Sequence, residues 1–484
     1  MVTKCEKVVN IMRSLAGCDW GAERGSMQLV YQAMIRSVLD YGCFVYGSAA
    51  KSVLGKLDVL QAKALRLCCG AFKTSPVPAL LLEMGEMPLR LRRTKLGLQY
   101  WAKVNGFPQS FPARCLLQKF VDPGPRVRHR SFLDDINQCA KLQGLGQGSI
   151  AIHLSWSPVP PWLFQEVDIN LTFLNQKSNE GVGLKVDHLL NTEERNYLKI
   201  FTDGSVDPES GAAGFGIFVE QLGYGFNKRV TNKSSVFTAE LLAILWALWW
   251  TEDLNISRVL ICSDSAAALM ALRGGKSTAR PDIVIEILSV LFRVGKAGCE
   301  VKFCWVPGHA GIQGNETADL LENATLKKGE TDVKIPKGRV EMRAEIKECV
   351  ENAWQREWEK ESKGRHYFSF HPQIKKLNYC QGNRKDSVKM CRLRLGHCGL
   401  KNDLYIIGKH STGLCECGHP ETVKHVMLEC SLYCAERRNL FKTLTDLGLE
   451  SFSIRTIFGS HNNHQQIEAA ILQFLCDTRL CGRI

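Results

Sequence analysis

The chain has 484 residues, a hydrophobic content of 45% and a net charge of +13. A chain of this length and composition is expected to form two to four domains with sizeable hydrophobic cores. It contains no run of 18 apolar residues and no continuous apolar N-terminal stretch, so we expect neither a membrane span nor a secretory signal. Its 20 scattered Cys favour a reducing compartment over a disulfide framework, so we expect an intracellular protein of the nucleus or cytoplasm.

The charge is unevenly spread along the chain. Residues 1–130 carry 20 Lys and Arg against 8 Asp and Glu, whereas residues 131–330 carry 17 against 23. Residues 331–484 are basic again, with 25 against 18. Basic flanks around an acidic centre fit a polyanion that is held by the ends while metal ions neutralise the middle. Lys and Arg that merely solvate helices explain the same pattern equally well.

Residues 1–120 are predicted to be mostly helical. Apolar residues recur every three or four positions over residues 27–46 and 49–67, and a glycine follows each run closely. On its own this pattern indicates only a helical bundle. Residues 121–196 are predicted to be a connector with little regular structure, because Pro-rich stretches impose turns and extended chain.

Residues 197–328 bring four acidic residues to the ends of strands and the starts of helices. These residues are Asp203, Glu240, Asp264 and Asp319. Asp203 and Asp264 each end a short apolar, strand-like run, whereas Glu240 and Asp319 lie near the start of helical segments. The runs follow one another as strand, strand, strand, helix, strand, helix, helix, strand, helix. This order predicts an α/β domain with a mixed sheet and helices on both faces.

Four gathered carboxylates indicate a metal site. Without a cation they would repel one another and raise each other's pKa values. Two divalent cations about 3.5–4 Å apart stabilise both the attacking water and the leaving oxygen of a phosphodiester. Mg²⁺ prefers hard oxygen ligands, so a carboxylate set suits it. Each acid taken alone is better explained as a solvated surface group, but the four together reverse that preference.

The motifs around these acids resemble a type 1 ribonuclease H domain. They read TDGS at 202–205, TAEL at 238–241, SDS at 263–265 and GHAGIQGNETAD at 308–319. The resemblance implies an RNA–DNA hybrid as partner, and two Mg²⁺ ions, with Mn²⁺ as a substitute, on the four acids. It also implies that His309, in a Gly-rich loop, helps to deprotonate the water or to release the product. Ser205, Ser235 and Asn315 match positions that touch the substrate in this family.

The N-terminal segment resembles the thumb and following segment of reverse transcriptases from non-LTR retrotransposons of the jockey or I type. The matching stretches are Ser37–Gly42, Leu57–Gln61, Ala64–Ala71, Ser75–Pro76 and Pro88–Arg93. The palm carboxylates precede the thumb in that family, so we expect the palm to be absent. Phe132, Asp134 and Asp135 imitate the polymerase F-x-D-D signature in a polar, helix-like stretch. We interpret that match as a coincidence and predict no polymerase activity.

Two further segments follow the acidic domain. Residues 329–400 are predicted to be helical, with Trp354 and Trp358 on one packed face. Residues 401–484 carry a C-x-C-x7-H-x4-C arrangement, which resembles the C-terminal Cys/His segment of the same retrotransposons. Its residues are Cys415, Cys417, His425 and Cys430. Three thiolates and an imidazole suit a structural Zn²⁺, whereas buried reduced thiols are the alternative, and His397, His419 and Cys434 are rival ligands.

The sequence therefore predicts a metal-dependent endonuclease that cuts the RNA strand of RNA–DNA hybrids. By resemblance it is a fragment of a retrotransposon polyprotein without the polymerase palm. The alternative is a catalytically inactive, nucleic-acid-binding remnant of the element. A nuclease of the integrase or resolvase type on the same fold is disfavoured by the order of the four acids. Nothing in the sequence indicates an oligomeric state.

Overall fold

The computed structural model describes residues 1–119, 132–145, 150–152, 160–164, 166–176, 181–275, 277–375 and 383–484. The described residues form two compact units. The helical unit takes its residues from 1–97, 129–135 and 347–484, and the sheet unit from 98–128 and 136–346. None of the helices in these described ranges is long and apolar enough to cross a membrane.

The helices and strands have the following bounds. The helices are α1 (Val2–Leu15), α2 (Arg24–Val30), α3 (Ser37–Asp40), α4 (Cys43–Tyr46), α5 (Lys51–Cys69), α6 (Val77–Glu83), α7 (Leu89–Asn105), α8 (Pro112–Lys119), α9 (Phe132–Leu142), α10 (Val182–Thr192), α11 (Val236–Asp253), α12 (Ala266–Arg273), α13 (Pro281–Lys296), α14 (Gln313–Leu326), α15 (Arg339–Lys360), α16 (Arg365–Phe370), α17 (Arg384–Leu395), α18 (Lys401–Ile406), α19 (Cys434–Asp446), α20 (Ile454–Phe458) and α21 (His464–Asp477). The strands are β1 (Ile169–Asn170), β2 (Leu198–Val206), β3 (Ala213–Val219), β4 (Tyr224–Val230), β5 (Arg258–Ser263) and β6 (Glu300–Trp305). From β2 to α14 the succession of strands and helices is the predicted one.

In the helical unit, residues from both ends of the chain share one hydrophobic core. Met12 and Leu65 belong to the same buried cluster as Leu395 and Phe474. Trp358 of α15 is buried in this cluster, and Trp354 packs against it. The segments predicted separately at the two ends of the chain therefore depend on each other for burial of their apolar surface.

The helix predicted over residues 27–46 is interrupted in the structure. After α2, residues Tyr31–Arg36 form a π-helical turn that leads into α3. The chain then turns at Gly42, whose φ of 68° lies in the left-handed region that costs glycine little. The apolar spacing of this segment continues across the turn, which explains why periodicity alone predicted a single helix.

A fully buried carboxylate lies at the centre of the helical unit. The Nη1 atom of Arg24 and the Nη2 atom of Arg394 lie 2.6 Å and 2.8 Å from Oε1 of Glu83. The burial of Glu83 acts to raise its pKa, but the charges of Arg394 and Arg24 prevail and lower it to about 2. Since Glu83 lies on α6 and Arg394 on α17, this ion pair joins the N-terminal and C-terminal parts of the unit.

The sheet unit is built on a six-stranded mixed sheet. The strand order is β1-β6-β5-β2-β3-β4, with β2, β3 and β4 antiparallel and the other neighbours parallel. Ile200 packs in one core together with α11, and Phe201 packs in a second core with Ile312 and Ala318. Because successive strand residues point to opposite faces, helices cover both faces of the sheet. The predicted fold class is confirmed.

The described part of the predicted connector contains regular structure. The two-residue strand β1 pairs in parallel with β6 at the edge of the sheet. Helix α10 contributes Val186 and Leu190 to the same core as Phe201. Phe132 and the two acids after it begin α9, so this F-x-D-D match lies in a helix rather than in a hairpin. Residues 120–131 and 153–159 lie outside the described residues.

We expect Glu83→Gln to destabilise the helical unit by about 3–5 kcal/mol, because it leaves two arginines at a buried site without their counter-charge. Because the pKa of Glu83 is lower in the folded state than its ordinary value, its stabilising contribution is fully present above pH 4.5 and is lost as the pH falls toward 2. Urea unfolding at pH 7 and pH 3 measures both effects. Glu351→Gln, which removes an exposed pair with Lys347, is the matched control and should cost less than about 1 kcal/mol. Equal losses in the two variants would contradict the prediction.

Candidate active site

Three carboxylates converge at one edge of the sheet. Asp203 lies on β2, and Asp264 directly follows β5, its parallel neighbour, in which Ser263 is paired with Thr202. The carboxyl ends of parallel strands meet at one edge, so the two side chains lie next to each other. Glu240 reaches the same place from α11. One side-chain oxygen of each of the three acids lies within 4.8 Å of the others.

Glycines allow the two helices that carry acids to approach the sheet closely. A Cβ atom on Gly204 would lie 2.6 Å from the backbone nitrogen of Glu240 in α11. A Cβ atom on Gly216, on the opposite face, would lie 2.3 Å from the carbonyl oxygen of Ala318 in α14. Any larger residue at either position would push a helix, and its acid, away from the strand ends.

The backbone at the site is fixed by hydrogen bonds. The indole nitrogen of the buried Trp305 donates to the carbonyl oxygen of Asp264 over 3.1 Å. The backbone N–H of Gly204 donates to Oδ1 of Asp203 over 2.8 Å. These hydrogen bonds hold Asp203 and Asp264 on rigid backbone, which a metal site requires of its ligands. Asp264 lies just after β5 as predicted, but the prediction that Asp203 ends its strand is wrong, because β2 continues to Val206 and pairs Asp203 with Gly216 of β3.

Asp319 lies beside this cluster and is partnered by His309. Nδ1 of His309 lies 3.8 Å from Oδ2 of Asp319, and Nδ2 of Asn323 donates to Oδ1 of Asp319 over 2.8 Å. The side chain of His309 is 84% exposed, and its φ of 53° places it in the left-handed region. The histidine therefore stands on an open loop next to the fourth predicted acid.

A fifth carboxylate, Glu322, was not predicted from the sequence. It lies one turn after Asp319 on α14, is buried, and accepts a hydrogen bond from the hydroxyl of Ser205. Its burial, more than the nearby charge of Asp319, raises its pKa to about 7. The three-residue spacing from Asp319 is the signal that places Glu322 on the same face of the helix.

The crowding of acids shifts their proton equilibria. Burial, followed by the charges of Asp264 and Glu322, raises the pKa of Asp203 to about 7. Burial, followed by the charges of Asp264 and Asp203, raises the pKa of Glu240 well above its ordinary value. Without a cation, the site therefore favours protonated acids, and at neutral pH the remaining negative charge is costly.

The donor set fits a hard divalent cation. Oε2 of Glu240 is buried and makes no hydrogen bond, so a strong acceptor is left without a donor. The three clustered acids offer only oxygen atoms, which are the ligands that Mg²⁺ prefers. A bound cation would supply the missing partner and offset the mutual repulsion.

Of the three residues predicted to touch substrate, the two serines form hydrogen bonds within the protein and the asparagine is buried. Ser205 donates to Glu322, and Ser235 caps α11 by accepting from the backbone N–H of Thr238. Asn315 is buried in the first turn of α14, and its Oδ1 has no hydrogen-bond partner. Their contact with substrate stays a prediction.

A second cluster, in the helical unit, consists of the predicted Cys/His quartet. Its members are Cys415, Cys417, His425 and Cys430, whose ligand atoms lie within 4.8 Å of one another. The Sγ atoms of Cys415 and Cys430 are 3.6 Å apart, and those of Cys417 and Cys430 are 3.8 Å apart. Tetrahedral zinc with bonds of about 2.3 Å to sulfur separates its sulfurs by about 3.8 Å. The quartet thus has the spacing of a structural zinc site.

Two of the rival zinc ligands, His419 and Cys434, border this quartet. His419 stacks on His425, with its Nδ1 3.9 Å from Sγ of Cys417, and Sγ of Cys434 lies 4.0 Å from the backbone oxygen of Cys430. The backbone N–H of His419 is the main group that lowers the pKa of Cys417 to about 6, whereas burial raises that of Cys430. A thiolate at Cys417 is the form that binds zinc.

Comparison with known proteins identifies relatives of the sheet unit. Residues 195–327 match the family model described as RNase H. A ribonuclease H of Halorhodospira halophila is 29% identical over 147 residues, which cover 27% of this chain and 94% of that protein. A ribonuclease H of Orientia tsutsugamushi is 27% identical over 133 residues, or 26% of this chain and 79% of that protein.

A further relative comes from a mobile element. The RNA-directed DNA polymerase from mobile element jockey of Drosophila melanogaster is 30% identical over 99 residues. That alignment covers 20% of this chain and 11% of the polymerase. The chain therefore spans only a small part of the length of this relative.

Replacing Asp203 by Asn should stabilise the metal-free protein by about 2–4 kcal/mol at pH 8. The pKa of Asp203 is raised on folding, so its contribution to stability is fully present below pH 3.8 and is lost as the pH rises through about 7. Denaturant unfolding in the presence of a chelator, at pH 5 and pH 8, measures this difference. Asp253→Asn, at the exposed end of α11, is the control and should leave stability unchanged. A metal-free wild type that is most stable at pH 8 would overturn the interpretation.

We expect the purified chain to carry about one Zn²⁺ on the Cys/His quartet. Cys415→Ser removes one of the clustered thiols and should lower the zinc content to less than about half, because three ligands hold the ion more weakly. Cys434→Ser, just beyond the quartet, should retain it. Elemental analysis measures the zinc content of the three proteins. Equal zinc in wild type and Cys415→Ser would rule out the site.

Proposed function

We propose that the ribonuclease H domain at residues 195–327 is an endonuclease that cuts the RNA strand of RNA–DNA hybrids by metal-dependent hydrolysis. The observation that carries the proposal is the convergence of Asp203, Glu240 and Asp264 within 4.8 Å inside this domain. Burial and the neighbouring negative charges raise the pKa values of Asp203 and Glu240, which is unfavourable for ionised acids unless a cation joins them, so the cluster is better explained as a catalytic site than as surface charge.

The acids have distinct tasks in this proposal. Asp203, Glu240 and Asp264 would hold Mg²⁺, or Mn²⁺ as a substitute, and Asp319 would complete the set for a second ion. A pair of such ions supplies an activated water and neutralises charge on the leaving oxygen, which gives 3′-hydroxyl and 5′-phosphate ends. The strands and helices hold the carboxylates so that little rearrangement is needed when the ions enter.

His309 is proposed to handle a proton or to help product release. Its ring is exposed on a loop and lies 3.8 Å from Asp319, so it reaches the solvent side of the acidic cluster.

Recognition of the hybrid is proposed to rest on RNA-specific groups and on the flanks of the domain. Glu240 and backbone groups would contact the 2′-hydroxyl, which tells RNA from DNA. Ser205 and Ser235 are proposed to contribute once substrate displaces their present partners, and Asn315 through its buried side-chain oxygen. Between Asp264 and Trp305 the sequence has no long basic insertion with clustered Trp and Lys, so the basic residues of 1–130 and 331–484 would supply affinity.

The whole chain is proposed to belong to a retrotransposon polyprotein. The alignment with the jockey polymerase supports this origin. In this proposal residues 1–120 are a thumb-like segment, 121–196 a connector, 197–328 the nuclease, 329–400 a helical segment and 401–484 a zinc-binding segment. A catalytically inactive nucleic-acid-binding remnant is the alternative, and the intact acidic cluster favours the enzyme.

Wild type should cut the labelled RNA strand of a hybrid in the presence of Mg²⁺, and a chelator should stop the cleavage. Asp203→Asn and Asp264→Asn should each lower the rate by about 10²–10³-fold or more, because each removes a metal ligand. Asp253→Asn, which alters an exposed acid at the other end of α11, should leave the rate unchanged.

The same cleavage assay distinguishes the active nuclease from the inactive nucleic-acid-binding remnant. If wild type cuts no faster than Asp203→Asn while both bind the hybrid equally well, the chain is the inactive remnant. Cutting of duplex DNA in preference to the hybrid would indicate instead a nuclease of the integrase type.

A further inference from the structure

The sheet unit extends beyond the residues that match the family. After residue 327 the chain runs along the edge strand β4, where the backbone N–H of Val333 donates to the carbonyl oxygen of Arg229 over 2.9 Å. The backbone N–H of Ile335 donates to Oγ1 of Thr231 over 2.8 Å, and Oδ2 of Asp332 accepts from the backbone N–H of Arg229 over 2.7 Å. These contacts lead the chain into the first turn of α15.

The first turn of α15 delivers a buried carboxylate to the start of the catalytic helix. Oε1 of Glu341 accepts from the backbone N–H of Ser235 over 3.0 Å and from its hydroxyl over 3.1 Å. The hydroxyl of Thr238 donates to the same oxygen. Ser235 is the N-cap of α11, whose fifth residue is Glu240, so Glu341 holds the end of the helix that carries an active-site acid.

The second oxygen of Glu341 is engaged as well. The backbone N–H of Gly338 donates to Oε2, and Nη1 of Arg280 lies 3.6 Å from it. Arg280 precedes α13 and is held in turn by Asp282, whose oxygens lie 3.0 Å and 2.7 Å from its Nε and Nη2. The starts of α11, α13 and α15 therefore meet at this carboxylate.

Burying these charged side chains costs free energy unless each charge is compensated by a neighbouring group. The side chains of Arg280 and Glu341 are only 2% and 4% exposed, so the buried charge of Glu341 needs Arg280 nearby, while Arg280 is also paired with Asp282. A negative group at the start of α11 is also favoured by the unpaired N–H groups and the dipole of that helix. An amide in place of the carboxylate offers only one acceptor oxygen and turns an NH₂ group toward one set of donors.

We propose that Glu341 is a positioning residue for Glu240, and that the working nuclease unit includes residues 328–346 beyond the matched domain. Glu341 fixes the start of α11, and α11 as a rigid helix carries Glu240 to Asp203 and Asp264. The inference rests on the proposed function, because it assigns Glu341 to the geometry of that acidic site.

The test compares Glu341→Gln with Glu345→Gln in the full chain. Glu345 lies one turn later on α15 and pairs with Lys337 over 2.6 Å, so it is matched in charge and helix but contacts Lys337 instead of α11. We expect Glu341→Gln to lower kcat for hybrid cleavage about 10–100-fold with KM nearly unchanged, as for the supports of other metal sites. Glu345→Gln should retain the wild-type kcat. A fall in KM with unchanged kcat would mean that Glu341 only hinders substrate binding at the start of α11. This result would overturn the proposal.

A second readout does not depend on cleavage. The Mg²⁺ concentration that gives half of the thermal stabilisation should rise about tenfold or more in Glu341→Gln and stay unchanged in Glu345→Gln. If wild type binds Mg²⁺ but does not cut the hybrid, the proposed function fails while this titration still tests the position of Glu240. If the Mg²⁺ concentration at half of the thermal stabilisation is unchanged in Glu341→Gln, Glu341 does not position Glu240.

A milder variant covers the case in which Glu341→Gln does not fold. Thr238→Val keeps the shape of a buried residue and removes one donor to Glu341. It should lower kcat in the same direction by a smaller factor, and the double variant should lose less than the product of the two single effects. Fully multiplicative effects would show that Thr238 and Glu341 act independently and would contradict the proposal.

Discussion

Mutual repulsion among buried carboxylates is the constraint on which the sheet unit depends. Folding must bring Asp203, Glu240 and Asp264 within 4.8 Å of one another, where burial and then the neighbouring negative charges raise the pKa values of Asp203 and Glu240. No local interaction favours such a gathering. It is imposed by the packing of strands and helices whose hydrophobic cores are far larger than the acidic cluster.

The residues around the acids hold them close together despite this repulsion. Strand pairing sets Asp203 beside Asp264, two glycines admit α11 and α14, and Trp305 holds the backbone behind Asp264. Glu341 then anchors the start of α11 from outside the matched domain. The acids themselves are thus a small part of what the site requires, since their supports come from five separate stretches of the chain.

The sequence could predict those strands, helices and active-site acids that are marked by a clear pattern in the residues directly around them. Asp203 and Asp264 end apolar runs, and such runs fold as strands whatever their neighbours do. Glu322 was missed because an acid in the middle of a helix usually faces solvent, and only the packing of α14 on the sheet buries it. Glu341 was missed for a related reason, since it lies in a charged helix where nothing local distinguishes it from Glu345. The break at Gly42 comes from the left-handed φ of that glycine, which the apolar spacing does not reveal because the spacing continues across the turn.

The shared core of the helical unit determines when this unit can fold during synthesis on the ribosome. Its N-terminal helices emerge early, yet the apolar partners of Met12 and Leu65 include residues as late as Phe474. The sheet unit lies between these parts in the chain and can complete its own core during synthesis, whereas the helical unit must wait for the last helix. Until then, the early helices expose apolar surface that chaperones bind and proteases attack. Loss of the C-terminal segment would leave them in that vulnerable state permanently.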